Sequence, residues 1–182
     1  MYYYIHGYLS EPNSTKGMLL KEKLEVKPIK YRDCQPEELV IADCVKQIIN
    51  NIKNDPKVVL IGSSLGGLLA AKTANISKNV KTLILLNPAI IPPNIDISKI
   101  QGIPQSILKD MQDERLFNEK IISDIYVLVG RYDYIVPNNW AEEFAKAQDA
   151  IIKFYDDDHS FTQNINNLPS IISNILNEKD YE

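Results

Sequence analysis

Residues 58–72 read VVLIGSSLGGLLAAK. An apolar run, a cluster of small residues and a Leu- and Ala-rich stretch predict a strand, a tight turn and a helix. The turn contains G-x-S-x-G as Gly62, Ser63, Ser64, Leu65 and Gly66. A serine exposed on a sharp strand-to-helix turn forces the residues two before and two after it together, and glycine at both places lets the turn close. Ser64 has glycine on both sides at that spacing and Ser63 does not, which singles out Ser64. Gly67, Ala70 and Ala71 let the helix approach its neighbours closely, and its N-terminus aims the positive end of its dipole at the serine. Other readings of the glycines fail on spacing. A phosphate-binding loop needs Lys directly after its last glycine, where Leu68 stands, and a dinucleotide fingerprint needs a glycine where Ser64 stands.

Outward from this unit, short apolar runs alternate with helical patterns. Strands are predicted at Tyr2–Ile5, Pro28–Tyr31, Val58–Ile61, Thr82–Leu86, Ile125–Val129 and Ile151–Tyr155. Several show no polar alternation, as expected of parallel strands covered on both faces. Helices are predicted over Ser14–Leu24, Pro36–Ile52 and Leu65–Ala74, from a capping-box-like start at Pro137, Asn139 and Glu142 to about Ala147, and from near Pro169. This alternation predicts an α/β fold: one domain over residues 1–182 with a doubly wound, mostly parallel sheet of about six strands. Ligands of such sheets bind at the carboxyl ends of the strands. The stretch 88–124 breaks the rhythm with four prolines, scattered isoleucines and a short helical patch near Asp113–Ile121. It reads as a short lid-like insertion beside the site. Ile90, Ile91, Ile95, Ile97, Ile103, Ile107, Met111 and Phe117 are its candidates for lining an acyl pocket, with packing into the core as the alternative.

A net charge of −4 over 182 residues argues against nucleic acid or an anionic membrane surface as the main partner. The apolar runs are far shorter than the ~20 residues of a membrane span. The start MYYYIHG carries no signal-peptide pattern, so a cytoplasmic protein is expected. Two cysteines exclude a disulfide-rich scaffold. Cys44 falls on the apolar stripe Ile41, Cys44, Ile48, Ile52 and reads as a reduced core thiol, while Cys34 is assigned no role.

The chain has only two histidines, which restricts any imidazole chemistry to His6 and His159. A serine hydroxyl needs a base to act as a nucleophile. His159 lies in DDDHSF, after a predicted strand and downstream of Ser64, and reads as that base. Asp133 lies just beyond another strand, in VGRYDYIVP, and reads as the acid that orients the imidazole. Asp156–Asp158 read as a solvated acidic loop, and no metal site is expected there. His6 and Gly7 follow the first strand, where a loop presenting backbone N–H groups would form an oxyanion hole. Its expected donors are the N–H groups of Tyr8 and Leu65, with His6 a structural ring and Gly7, Gly62 and Gly66 in supporting roles.

The whole pattern resembles an α/β-hydrolase, and more narrowly the small bacterial YqiA-like esterases. YYYIHGYLSEPNSTK resembles that family's first strand and oxyanion loop, GSSLGG its nucleophile elbow, LLNPAI its following strand, GRYDYIVP its acid turn and DHSF its histidine loop. The acidic run before His159 departs from the glycines more usual there. The resemblance implies a compact serine hydrolase acting on a small carboxylic ester or thioester without a cofactor. An acyltransferase using the same triad, and a non-catalytic scaffold binding a small ligand or protein, are the alternatives.

Overall fold

The structure, a computed structural model, describes residues 1–178, so residues 179–182 of the expected domain lie outside the described residues. Six strands form one sheet: β1 (Tyr2–Ile5), β2 (Lys27–Pro28), β3 (Val58–Ser63), β4 (Val80–Leu86), β5 (Asp124–Gly130) and β6 (Ile151–Tyr155). Their order is β2-β1-β3-β4-β5-β6 and every neighbouring pair is parallel. The second strand, expected over Pro28–Tyr31, is only Lys27–Pro28; it lies at the sheet edge, where β1 is its one neighbour and proline is tolerated, and Ile29 N–H closes the pairing on Tyr4 O at 2.9 Å.

The helices are α1 (Thr15–Leu24), α2 (Ile41–Ile52), α3 (Leu65–Ile76), α4 (Gln105–Met111), α5 (Arg115–Asn118), α6 (Asn138–Gln148) and α7 (Leu168–Glu178). Side chains alternate across each strand, which divides the core in two. Ile5, Leu60, Leu83 and Val127 face α2, α3 and α6 on one side. Tyr4, Ile61, Ile84 and Leu128 face α1 and α7 on the other. Each fully buried aliphatic side chain contributes about 2 kcal/mol. None of the described helices is long and apolar enough to cross a membrane.

Two helix starts differ from expectation. The segment from Pro36 breaks into a 3-10 turn at Pro36–Glu38, then extended backbone at Leu39 and Val40, before α2 begins. Leu39 and Ile41 are both buried, and residues two apart lie on opposite faces of a helix, so burying both requires the break. No side chain caps α6; Pro137 occupies the capping position and Asn139 lies within the first turn. On α2 the stripe Ile41, Cys44, Ile48, Ile52 is buried, and Cys44 is a free thiol pushed up to about 11 by burial. Cys34 is free and exposed.

The stretch between β4 and β5 is tied into the core. Ala89, Ile90, Ile91, Leu108 and Leu116 are buried. Gln112 Nε2 donates to the carbonyls of Pro92, Pro93 and Ile95, and Gln148 of α6 bonds Leu116, Glu119 and Ile121. The α4 turn there has no counterpart in the expected elements. Asp113, which precedes α5, accepts from Arg115 at 2.7 Å and from Lys72 of α3 at 2.6 Å, and both Asp113 and Lys72 are largely enclosed. The Arg115 guanidinium, with the Lys72 ammonium, holds the Asp113 carboxyl well below the usual carboxylate range against the opposing effect of burial.

Asp113→Asn is expected to lower the unfolding free energy by about 2 kcal/mol at neutral pH in urea titrations. A depressed folded-state pKa stabilises fully above the unfolded-chain value, near 4, and its contribution fades below it. The gap between wild type and variant is therefore constant from neutral pH down to about 4 and narrows below that.

Candidate active site

In an all-parallel sheet every strand ends at the same edge, and the crevice opens where the strand order reverses. Here the chain runs from β1 outward to β2 and then resumes at β3 on the other side of β1. The loops after β1 and β3 therefore flank that reversal. The first carries His6, Gly7 and Tyr8, and the second carries Ser64.

Ser64 has φ 55° and ψ −121°, a strained conformation for a residue with a side chain. The surrounding backbone fixes it. Its N–H donates to Leu86 O at 3.0 Å, and its carbonyl accepts from Gly67 N at 2.9 Å and Ala89 N at 3.1 Å. The two flanking glycines are required by contact. A Cβ on Gly62 would lie 2.3 Å from Gly66 O, and one on Gly66 would lie 2.1 Å from Ile5 O. Gly7 lies against the serine, so that a Cβ there would be 3.3 Å from Ser64 Cβ.

Three carbonyls of the first loop are tied down. Gly7 O accepts from His6 Nδ1 at 2.9 Å and from the Tyr31 hydroxyl at 3.2 Å. Arg32 Nη2 donates to Tyr8 O and Ser10 O, each at 3.0 Å. His6 is buried and stacks on Tyr31 with ring centroids 4.3 Å apart. Because a carbonyl only accepts, Nδ1 carries the His6 proton. Burial lowers the His6 pKa in spite of that bond, so the ring is held neutral.

Asp133 and His159 meet across two strand ends. Asp133 Oδ2 accepts from His159 Nδ1 at 2.7 Å. Its Oδ1 accepts from the N–H groups of Ile135 at 2.8 Å and Val136 at 2.9 Å, which fixes the carboxylate from behind. Asp133 is buried and His159 partly exposed. With Nδ1–H on the carboxylate, Nε2 is the nitrogen left to accept a proton.

The loop before His159 is not a solvated run of acids, as its composition suggests. Asp156 is exposed and pairs with Arg131 at 3.2 Å, but Asp157 is fully buried. The Asp157 carboxylate accepts from the N–H groups of Asp158, Gln163 and Asn164 and from Asn164 Nδ2, at 2.8–3.1 Å. The exposed Asp158 carboxylate accepts from Ser160 N, Thr162 N and Thr162 Oγ1. Three identical residues in a row carry no pattern that separates these roles; only the turn does. Asn87 was also unassigned on sequence. It follows β4 with φ 42°, and its amide donates to Asp158 O at 3.1 Å and His159 O at 3.0 Å while its Oδ1 accepts from Gly130 N at 2.7 Å. An Asn directly after a buried strand was the available signal, since Asn tolerates left-handed backbone. Tyr31 and Arg32 left no such signal.

Ser64, His159, Gly7, Tyr8 and Leu65 all border one cavity of about 770 Å³. Asp133 stands behind the imidazole, and His6, Gly62 and Gly66 lie outside the cavity wall in the supporting backbone. Of the candidates for an acyl pocket, Ile91, Ile103 and Met111 reach the cavity, together with Leu108 and Trp140. Ile90 and Ile107 are buried in the core, Ile95 and Ile97 pack against it, and Phe117 stands edge-on to Phe144. Among the described residues no cluster of three or more His, Cys, Asp or Glu is arranged to hold a metal.

The fold that positions this cavity is the α/β-hydrolase fold. Est1E from Butyrivibrio proteoclasticus matches over 99% of this chain and 88% of its own, at 16% identity and TM-score 0.75. The monoacylglycerol lipase of Paleococcus ferrophilus matches over 96% and 92%, at 17% identity and TM-score 0.74. An esterase from Pyrococcus furiosus matches over 97% and 81%, at 17% identity and TM-score 0.72. At these identities the likeness establishes architecture alone. Among proteins of curated function none matches in sequence. Residues 1–175 match the model of UPF0227, described as an uncharacterised protein family, and the chain belongs to that family.

Asn87→Gly keeps the backbone conformation and removes the clamp. It is expected to lower stability by about 2–3 kcal/mol in denaturant titrations. Hydrogen exchange at the Gly130 amide, which loses its acceptor, is expected to accelerate.

Proposed function

We propose that the protein is a serine hydrolase of carboxylic esters or thioesters. The observation that carries this reading is the buried Asp133 carboxylate holding His159 Nδ1 at 2.7 Å while Ser64, in its strained turn, borders the same cavity as the imidazole. A solvated surface histidine has no need of a buried carboxylate fixed by two backbone N–H groups.

In this mechanism Ser64 Oγ attacks the acyl carbon and His159 Nε2 takes its proton. The imidazolium, stabilised by Asp133, returns the proton to the leaving oxygen or sulfur. Water, activated by the same nitrogen, then releases the acid and restores Ser64. The N–H groups of Tyr8 and Leu65 receive the tetrahedral oxyanion. The tethered Gly7 carbonyl supports the first donor: in a trans peptide the Tyr8 N–H points opposite to it, away from the His6–Tyr31 stack. The second is the first N–H of α3, where the helix dipole adds to the field. Ile91, Ile103, Leu108 and Met111 suit an apolar acyl group, and the stretch 88–124 serves as its cap. The esterase and lipase names of proteins with the same fold agree with this reading.

Ser64→Ala or His159→Ala is expected to lower kcat on a hydrolysed ester by on the order of 10⁶, and Asp133→Asn by about 10⁴, with unfolding midpoints close to wild type. Turnover by Ser64→Ala at a rate comparable to wild type contradicts the mechanism. Activity is also expected to fall in acid, and a flat pH–rate profile contradicts a histidine base.

A further inference from the structure

Among the described residues the cavity has one cationic side chain in its wall, Lys16, and the proposed mechanism does not use it. Lys16 lies in the first turn of α1 and is only partly exposed. Its Nζ donates to Ser160 O at 2.7 Å, one of the three hydrogen bonds an ammonium can donate. No carboxylate stands within 4 Å of Nζ among the described residues. The two acids whose charge acts on it make their hydrogen bonds elsewhere: Asp157 to four donors and Asp158 to Ser160 and Thr162. Burial lowers the Lys16 pKa although both aspartates act to raise it. The ammonium is therefore incompletely solvated and incompletely paired, a state that a bound anion relieves.

Its position says which half of a substrate it meets. His159 is the group that returns a proton to the leaving atom, so its surroundings border the leaving group. Ser160 directly follows His159, and Lys16 is anchored to Ser160 O. The apolar part of the lining comes from other elements, Ile91, Ile103, Leu108 and Met111 in the stretch between β4 and β5 and Trp140 on α6. Ser14 and Thr15, at the positive end of the α1 dipole, line the cavity beside Lys16 and add to the potential there.

We propose that Lys16 is a specificity-determining residue that selects esters or thioesters whose leaving alcohol or thiol carries a carboxylate or phosphate a few atoms from the scissile bond. This inference rests on the serine-hydrolase reading above. An apolar acyl half and a leaving half that offers an anion to the Lys16 ammonium together fit a cavity with apolar side chains in one part of its wall and Lys16 in another.

The test compares two esters that share an acyl group and differ in one charge, the glycolate and the glycolamide ester. The acyl group is the one hydrolysed best as a 4-nitrophenyl ester. The readout is the kcat/KM ratio of glycolate to glycolamide ester in wild type divided by the same ratio in Lys16→Met, which cancels intrinsic reactivity. A charge-assisted contact predicts a quotient of about ten or more. Lys16→Arg is expected to retain most of the preference, and Lys16→Glu to fall below Lys16→Met. A quotient near one overturns the inference, whether the two esters are unaffected or slowed equally; equal slowing identifies Lys16 as a brace for the histidine loop. Hydrolysis of the 4-nitrophenyl ester together with such a quotient leaves the esterase reading standing. Absence of turnover of all three esters overturns that reading and this inference with it.

Discussion

The close approach of the turn after β3 to the end of β1 is the constraint on which the rest of the structure depends. Gly66 sits under the carbonyls of Ile5 and His6 at a distance no side chain tolerates, and Gly62 sits equally close to Gly66. Only with both glycines can Ser64 take φ 55° and stand above the sheet edge. Such a residue costs of order 1–3 kcal/mol and persists only where its neighbours over-determine it. Here three backbone hydrogen bonds do so, one donated by Ser64 N–H to Leu86 O and two accepted by Ser64 O from Gly67 and Ala89, backed by the burial of α3 in the core it shares with the sheet and α2. The same approach brings Gly7 against the serine, so the loop after β1 is placed by the turn after β3.

A second set of ties fixes the other half of the cavity. Asn87 joins the ends of β4 and β5 to the loop after β6, and Asp157 gathers the backbone N–H groups of that loop around a buried carboxylate. Neither touches the cavity, yet they determine where Asp133 and His159 meet. Buried and fully bonded polar groups of this kind define one geometry, because any displacement leaves a donor or acceptor unmet.

Legibility followed the length scale of the interaction. The central strands and α3 were readable because apolar runs and local propensity dominate there. The sharp turn at Ser64 was readable because a local steric rule demands glycine on both sides, and the contact of Asp133 with His159 followed from strand-end position. The edge strand at Lys27–Pro28, the break before α2 and the α4 turn were not readable, since the first depends on strand order in the sheet and the others on which face the core takes. The roles of Arg32, Asn87 and Asp157 were hidden for a related reason. Each is a polar residue whose partners lie across a strand or a turn, and nothing in the adjacent sequence marks those partners.

On the proposed account these constraints converge on one atom, Ser64 Oγ, which the turn exposes and the imidazole deprotonates, while the flanking N–H groups stabilise the substrate oxyanion that its attack creates. The most direct measurement is mass-spectrometric mapping of the intact protein after reaction with a fluorophosphonate, which modifies serines activated in this way. The account predicts a single adduct on Ser64, formed in wild type and lost in His159→Ala. No adduct in wild type, or an adduct that forms equally well after Ser64→Ala, would contradict it.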